Sequence, residues 1–139
     1  MRALILGGTG STGRALIRHH QGAGPPVDVS VVSRTAASVA GVPRVLTGHY
    51  GDLARSGEFR QLLADMDAIV HLADGLSVLQ EPRFAADTAE AERLICASER
   101  FALAVREAEV PLLVYVSSIK ALCDEEDERV LTEACASRA

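Results

Sequence analysis

Glycines at 7, 10 and 13 lie between an apolar run and a helix-patterned segment in Leu4-Ile5-Leu6-Gly7-Gly8-Thr9-Gly10-Ser11-Thr12-Gly13-Arg14-Ala15-Leu16-Ile17. Residues of these types at this spacing suit the twin phosphates of a dinucleotide. Gly7 permits a tight turn at a strand end, and Gly10 lets backbone N–H groups approach a pyrophosphate. Gly13 allows helix and strand to pack closely. Thr9, Ser11 and Thr12 add hydroxyl donors, while the following helix turns its positive end toward the anion. A Walker loop is excluded. Gly8 to Gly13 has its glycine spacing, but Arg14-Ala15 stands where Lys-Ser/Thr is required.

Two further positions bear on which nucleotide is bound. After the β-branched run Val27–Ser33 come Ser33-Arg34-Thr35, with no acid. A carboxylate there takes the ribose hydroxyls of NAD, whereas an Arg accommodates the 2′-phosphate of NADP by a two-pronged contact. NADP is therefore expected over NAD. Asp52, with Leu53 beside it, follows a third short apolar run, where a carboxylate can accept a hydrogen bond from an adenine amino group. Asp52 also suits the N-cap of a helix beginning near Leu53, and the two roles are compatible.

The elements that must position these residues alternate. Strands are predicted over 2–7, 27–33, 44–48, 68–73 and 112–116, and helices over 11–21, 54–64 and 84–109. In the first helix Ala15, Leu16 and His19 are expected on or near one face. His19 and His20, neighbours on that helix and about 100° apart, make a poor metal pair and suit solvent. His71 reads as packed within its strand. Leu72-Ala73 ends that strand beside the glycine loop. Alternation of this kind implies a doubly wound parallel α/β sheet, Rossmann-like, with five strands in the order 3-2-1-4-5.

Composition narrows the function. The chain has 139 residues, enough for one domain with a real core, and a net charge of −5. That charge argues against nonspecific nucleic-acid binding. No apolar run approaches membrane-spanning length and no signal-peptide pattern precedes the first strand, so a cytoplasmic protein is expected. Cys96, Cys123 and Cys135 lack C-x-x-C spacing and suit reduced thiols. The acidic run Asp124-Glu125-Glu126-Asp127-Glu128, without turn glycines, reads as a solvated surface rather than a cation site.

The chain resembles the extended short-chain dehydrogenase/reductase family, in particular its nucleotide-sugar epimerases and dehydratases. Residues 7–13 match the family's G-x-x-G-x-x-G loop, and Gly51-Asp52-Leu53 resembles its adenine-contacting acidic motif. Val70-His71-Leu72-Ala73 resembles the strand beside the cofactor, and Val114-Tyr115-Val116-Ser117-Ser118-Ile119-Lys120 the strand that delivers an active-site Ser/Thr. The resemblance implies that Ser118 is the catalytic-type hydroxyl. It also implies a Tyr-x-x-x-Lys pair on the next helix, the Tyr exchanging a proton with substrate. Neither tyrosine begins such a pair: Tyr50 is followed four residues on by Ala54, and Tyr115 by Ile119. Lys120 is the one lysine. Leu94 stands where the family's long helix often carries Asn.

Residues 1–118 thus read as a dinucleotide-binding domain and 119–139 as a polar, acidic segment opening a region not present, with the catalytic helix and last strands missing. The expected function is the cofactor domain of an epimerase, dehydratase or reductase acting on a nucleotide sugar or similar substrate. A non-catalytic NADP-binding redox sensor and a scaffold that binds no nucleotide remain as alternatives. The strand over 112–116 is expected to leave an apolar edge through which the chain self-associates.

Overall fold

The computed structural model describes residues 1–23, 25–35, 38–73 and 88–116. Five strands, β1 (Arg2–Leu6), β2 (Asp28–Ser33), β3 (Arg44–Thr47), β4 (Ala68–His71) and β5 (Leu112–Tyr115), form one sheet in the order β3-β2-β1-β4-β5. Every pairing is parallel. The helices are α1 (Ser11–Ala23), α2 (Tyr50–Leu53), α3 (Gly57–Ala64) and α4 (Thr88–Glu107). Sheet order and strand direction agree with the order expected from the alternation of elements.

The sheet forms where apolar residues continue on both faces, as strands covered by helices require. Leu4 and Leu6 of β1 point to one face and join Phe59, Leu63, Ile69, Phe101 and Val105 beneath α2, α3 and α4. Ile5, one residue out of phase, points to the other face and packs with Ile17, Val29, Val31 and Val39. Each fully buried aliphatic side chain contributes about 1.5–3 kcal/mol. The ladders continue past the strand ends: Gly7 N–H donates to the Val32 carbonyl at 3.0 Å, and Gly48 N–H to that of Ser33 at 2.8 Å. These bonds bring several loops together at one edge of the sheet.

Some local expectations are corrected. The inner face of α1 consists of Gly13 and Ile17, both buried, with His20 half-buried; Ala15 and Leu16 are exposed, and His19 is exposed as expected. The cause is the close seat of Gly13 against the glycine loop, which sets the rotation of the helix. His20 is not solvated as expected, because its Nε2 accepts the Val27 N–H at 3.2 Å. Asp52 does not cap a helix. His49 does, its Nδ1 accepting the Gly51 N–H at 3.2 Å, so α2 begins at Tyr50. The helix expected over 54–64 starts at Gly57, after an extended Ser56. Of the long helix, 88–107 is helical and 84–87 lies outside the described residues, as does the loop over 76–82.

At the opposite edge Arg2 pairs with Asp65 at 3.3 Å, both half exposed or more, a contact of small energetic weight. Beyond α4, Glu109 has φ 52°, the one positive φ of a non-glycine residue among those described. A side chain in this region costs about 1–2 kcal/mol, against roughly 0.5–1 kcal/mol of unfolded-state entropy for glycine. Glu109→Gly should therefore raise stability by about 0.5 kcal/mol, seen as a rise of a few degrees in a thermal melt.

Candidate cofactor site

The loop from Gly7 to Gly10 leaves β1 with Gly7 at φ 80°, in the left-handed region that only glycine enters cheaply. A Cβ there would lie 2.9 Å from the Ala73 backbone nitrogen. Gly13 is tighter still, its Cβ falling 2.5 Å from the Gly7 carbonyl oxygen and the Gly8 Cα. A Cβ on Gly8 would lie 2.7 Å from the Val31 side chain, a requirement invisible in the three-residue glycine spacing. Gly10 differs from all of these. A Cβ there meets only the Gly7 carbonyl oxygen at 3.3 Å, so space rather than packing explains its glycine.

Polar contacts hold the loop in place. Arg14 Nε–H donates to the Thr9 carbonyl at 2.8 Å, and the hydroxyls of Thr9 and Ser33 lie 3.1 Å apart. Thr35 N–H reaches Ser33 Oγ at 3.4 Å. Ser33 is buried, and its hydroxyl contact with Thr9 ties the loop after β1 to the end of β2.

Between these ends opens a cleft of about 550 Å³, within the range of cofactor pockets. Of the residues singled out from the sequence, Gly7, Thr9, Gly10, Ser33, Arg34, Leu72 and Ala73 line it. Ser11, Thr12 and Gly13 begin α1 behind the loop and are not part of the lining. Asp52 and Leu53 stand further along α2 and do not line it either. Ser118 lies outside the described residues, as do the acidic run over 124–128 and two of the three cysteines. Cys96 is a free, exposed thiol.

Sequence reasoning missed Gly48, His49, Tyr50 and Leu94, which form the cleft's far wall. Tyr50 is its keystone. Its ring meets those of His71 and Phe101 edge-on, its hydroxyl lies 3.2 Å from Ser98 Oγ, and the His49 ring stacks on it at 4.4 Å. Gly51 makes this packing possible, since a Cβ there would lie 2.4 Å from the Ala97 Cβ on α4. His71 is buried among these rings, as expected.

Charge in the cleft is one-sided. Among the described residues no carboxylate lines it, and Arg34 is the described lining residue with a formal charge. The first turn of α1 carries no acid to oppose an anion. A glycine cradle that a side chain would fill, a helix N-terminus behind it and a basic rim fit a phosphate-bearing dinucleotide. Among the described residues, no group of three His, Cys, Asp or Glu is placed to hold a metal ion. No described helix is long and apolar enough to cross a membrane.

A parallel sheet with its glycine loop and cleft at the carboxyl ends of the strands defines a dinucleotide-binding α/β domain. A family model, the NAD dependent epimerase/dehydratase family, matches residues 3–138, and the chain belongs to that family. A search of curated proteins by sequence finds no match. Among solved structures, the chain is similar to DesIV, a dTDP-glucose 4,6-dehydratase from Streptomyces venezuelae with NAD bound, at TM-score 0.72 and 22% identity. That likeness covers 99% of this chain and 45% of the other. It is also similar to UDP-N-acetylglucosamine 4-epimerase from Bacillus cereus, at TM-score 0.67 and 21% identity, over 99% of this chain and 44% of the other. MoeE5 in complex with UDP-glucuronic acid and NAD gives TM-score 0.69 and 23% identity, over 99% and 43%. The chain thus spans less than half the length of these three structures. At such identities the likeness carries the fold.

Proposed function

We propose that this chain binds NADP in the cleft at the ends of β1, β2 and β4, in the cytoplasm, as the cofactor domain of an enzyme acting on a nucleotide sugar. The observation that carries the reading is the coincidence of the glycine cradle with a cleft that Arg34 lines. A bound nicotinamide supplies hydride exchange at a hydroxyl or carbonyl carbon. The chain's own residues hold the phosphates at the loop and α1, and Arg34 meets the 2′-phosphate. Ser118 supplies the hydroxyl beside the substrate. Calorimetric titration tests the reading: NADPH is expected to bind more tightly than NADH. Failure of both to bind at millimolar concentration overturns it.

A redox-sensing module is the second reading, favoured by neither tyrosine opening a Tyr-x-x-x-Lys pair. Tyr50 is buried against Ser98, and the Tyr115 ring sits 4.7 Å from that of His71. Turnover of a panel of nucleotide sugars with NADP by the chain together with its natural flanking sequence excludes the sensor.

Self-association belongs to the same proposal. Among the described residues β5 has β4 as its one strand partner in the sheet, and Leu112, Leu113, Val114, Tyr115 and Val116 are all exposed. An exposed apolar edge strand pairs readily with a second copy of the chain. Light scattering should show a dimer that Val114→Lys converts to monomer. A monodisperse wild-type monomer counts against it.

A further inference from the structure

The peptide between Thr9 and Gly10 is held from both sides, and one holder is a side chain outside the cleft. The Gly10 N–H donates to the Gly7 carbonyl at 3.0 Å. The Thr9 carbonyl accepts from Arg14 Nε–H at 2.8 Å. A planar trans peptide points its N–H and C=O in opposite directions, so the two bonds fix one orientation of the plane. Thr9 and Gly10 line the cleft, whereas Arg14 is exposed on α1 and is not among the described lining residues. The bonds of α1 start with the Arg14 N–H, which donates to the Gly10 carbonyl at 2.9 Å. The N–H groups of Ser11, Thr12 and Gly13 precede it and are the ones a phosphate can take.

We propose, resting on the dinucleotide reading above, that Arg14 is a positioning residue for the phosphate loop. It acts through Thr9 and touches no part of the cofactor. Without the Arg14 donor the Thr9 carbonyl loses its partner and is free to turn. Facing the cleft, it presents lone pairs to the anion. Accepting the Gly13 N–H as one more helical bond, it withdraws a donor from that anion. Either change weakens the hold on the pyrophosphate, which NADPH and NADH share. Discrimination at the 2′-phosphate is left untouched.

Two variants separate position from charge. The amide nitrogen of Gln is bonded to Cδ, as Nε is in Arg, so Arg14→Gln keeps a donor at the same place and removes the charge. Arg14→Met keeps the length and has neither. Calorimetric titration of the full chain and both variants, with NADPH and with NADH, tests the proposal. Arg14→Met should bind both nucleotides about tenfold more weakly, by a common factor. Arg14→Gln should stay within about threefold of the wild type. Arg14 is exposed, so all three chains should melt within a few degrees of one another. An Arg14→Met loss under about threefold overturns the proposal, as does a loss confined to NADPH, which would put Arg14 on the 2′-phosphate. An Arg14→Gln chain as weak as Arg14→Met gives the effect to charge, and a melt that falls with the affinity gives it to folding. Both overturn the proposal, and all four results leave the dinucleotide reading standing. Failure of the folded wild type to bind either nucleotide overturns both.

Discussion

A Gly13→Val chain is expected to melt about 10 °C below the wild type and to lose dinucleotide binding with its fold. The cause is contact rather than chemistry. The β-carbon would fall 2.5 Å from both the Gly7 carbonyl oxygen and the Gly8 Cα, atoms of a backbone that cannot swing aside. Forcing α1 outward would separate Ile17 from Ile5 and Val31 in the smaller of the two cores. Overpacking of this kind costs about 3 kcal/mol, a large share of a stability of roughly 5–15 kcal/mol. Gly10→Val provides the contrast. Its Cβ meets one atom at 3.3 Å and lines the cleft, so the fold should survive while nucleotide affinity falls by about 100-fold or more. Circular dichroism melts and calorimetry on the two variants separate the roles. If Gly13→Val melts like the wild type, the helix is not seated as described.

Arg34→Asp carries the second large effect, on selectivity rather than stability. Arg34 is exposed at the cleft rim and makes no hydrogen bond or ion pair among the described residues. Its removal leaves no unsatisfied partner. On the proposed NADP reading, the substitution deletes a charge-assisted contact worth about 1.5–3 kcal/mol and places like charge beside the 2′-phosphate. The ratio of NADPH to NADH affinity should fall by about 100-fold, and NADH binding should hold or improve. Equal ratios in wild type and variant would reduce Arg34 to an ordinary surface residue.

The parts of this molecule that were readable from sequence are those governed by local rules. Strand-forming runs, helix stops and the strand-to-helix glycine turn place all five strands in their observed order. The missed features depend on contacts between distant segments. Gly8 is required by Val31, and Gly51 by Ala97, neither of which any spacing in the glycine loop signals. The inner face of α1 follows Gly13 and Ile17 because the loop sets the helix rotation, overriding the apolar Leu16. Asp52 suits a cap by residue type as well as an adenine contact, yet the cap is His49, three residues earlier, its ring stacked on Tyr50. One usable signal was present: a polar side chain directly after the third strand, two residues before a glycine N–H.

The central position of β1 sets the order in which this domain can assemble on the ribosome. Arg2 must wait for Asp28 to emerge, and Ala3 for Ala68, before either side of that strand finds its neighbour. Such pairings between remote segments close large loops and slow the search for the native state. Until residues 28–32 and 68–71 have both been made, β1 lacks one or both of the neighbours it pairs with.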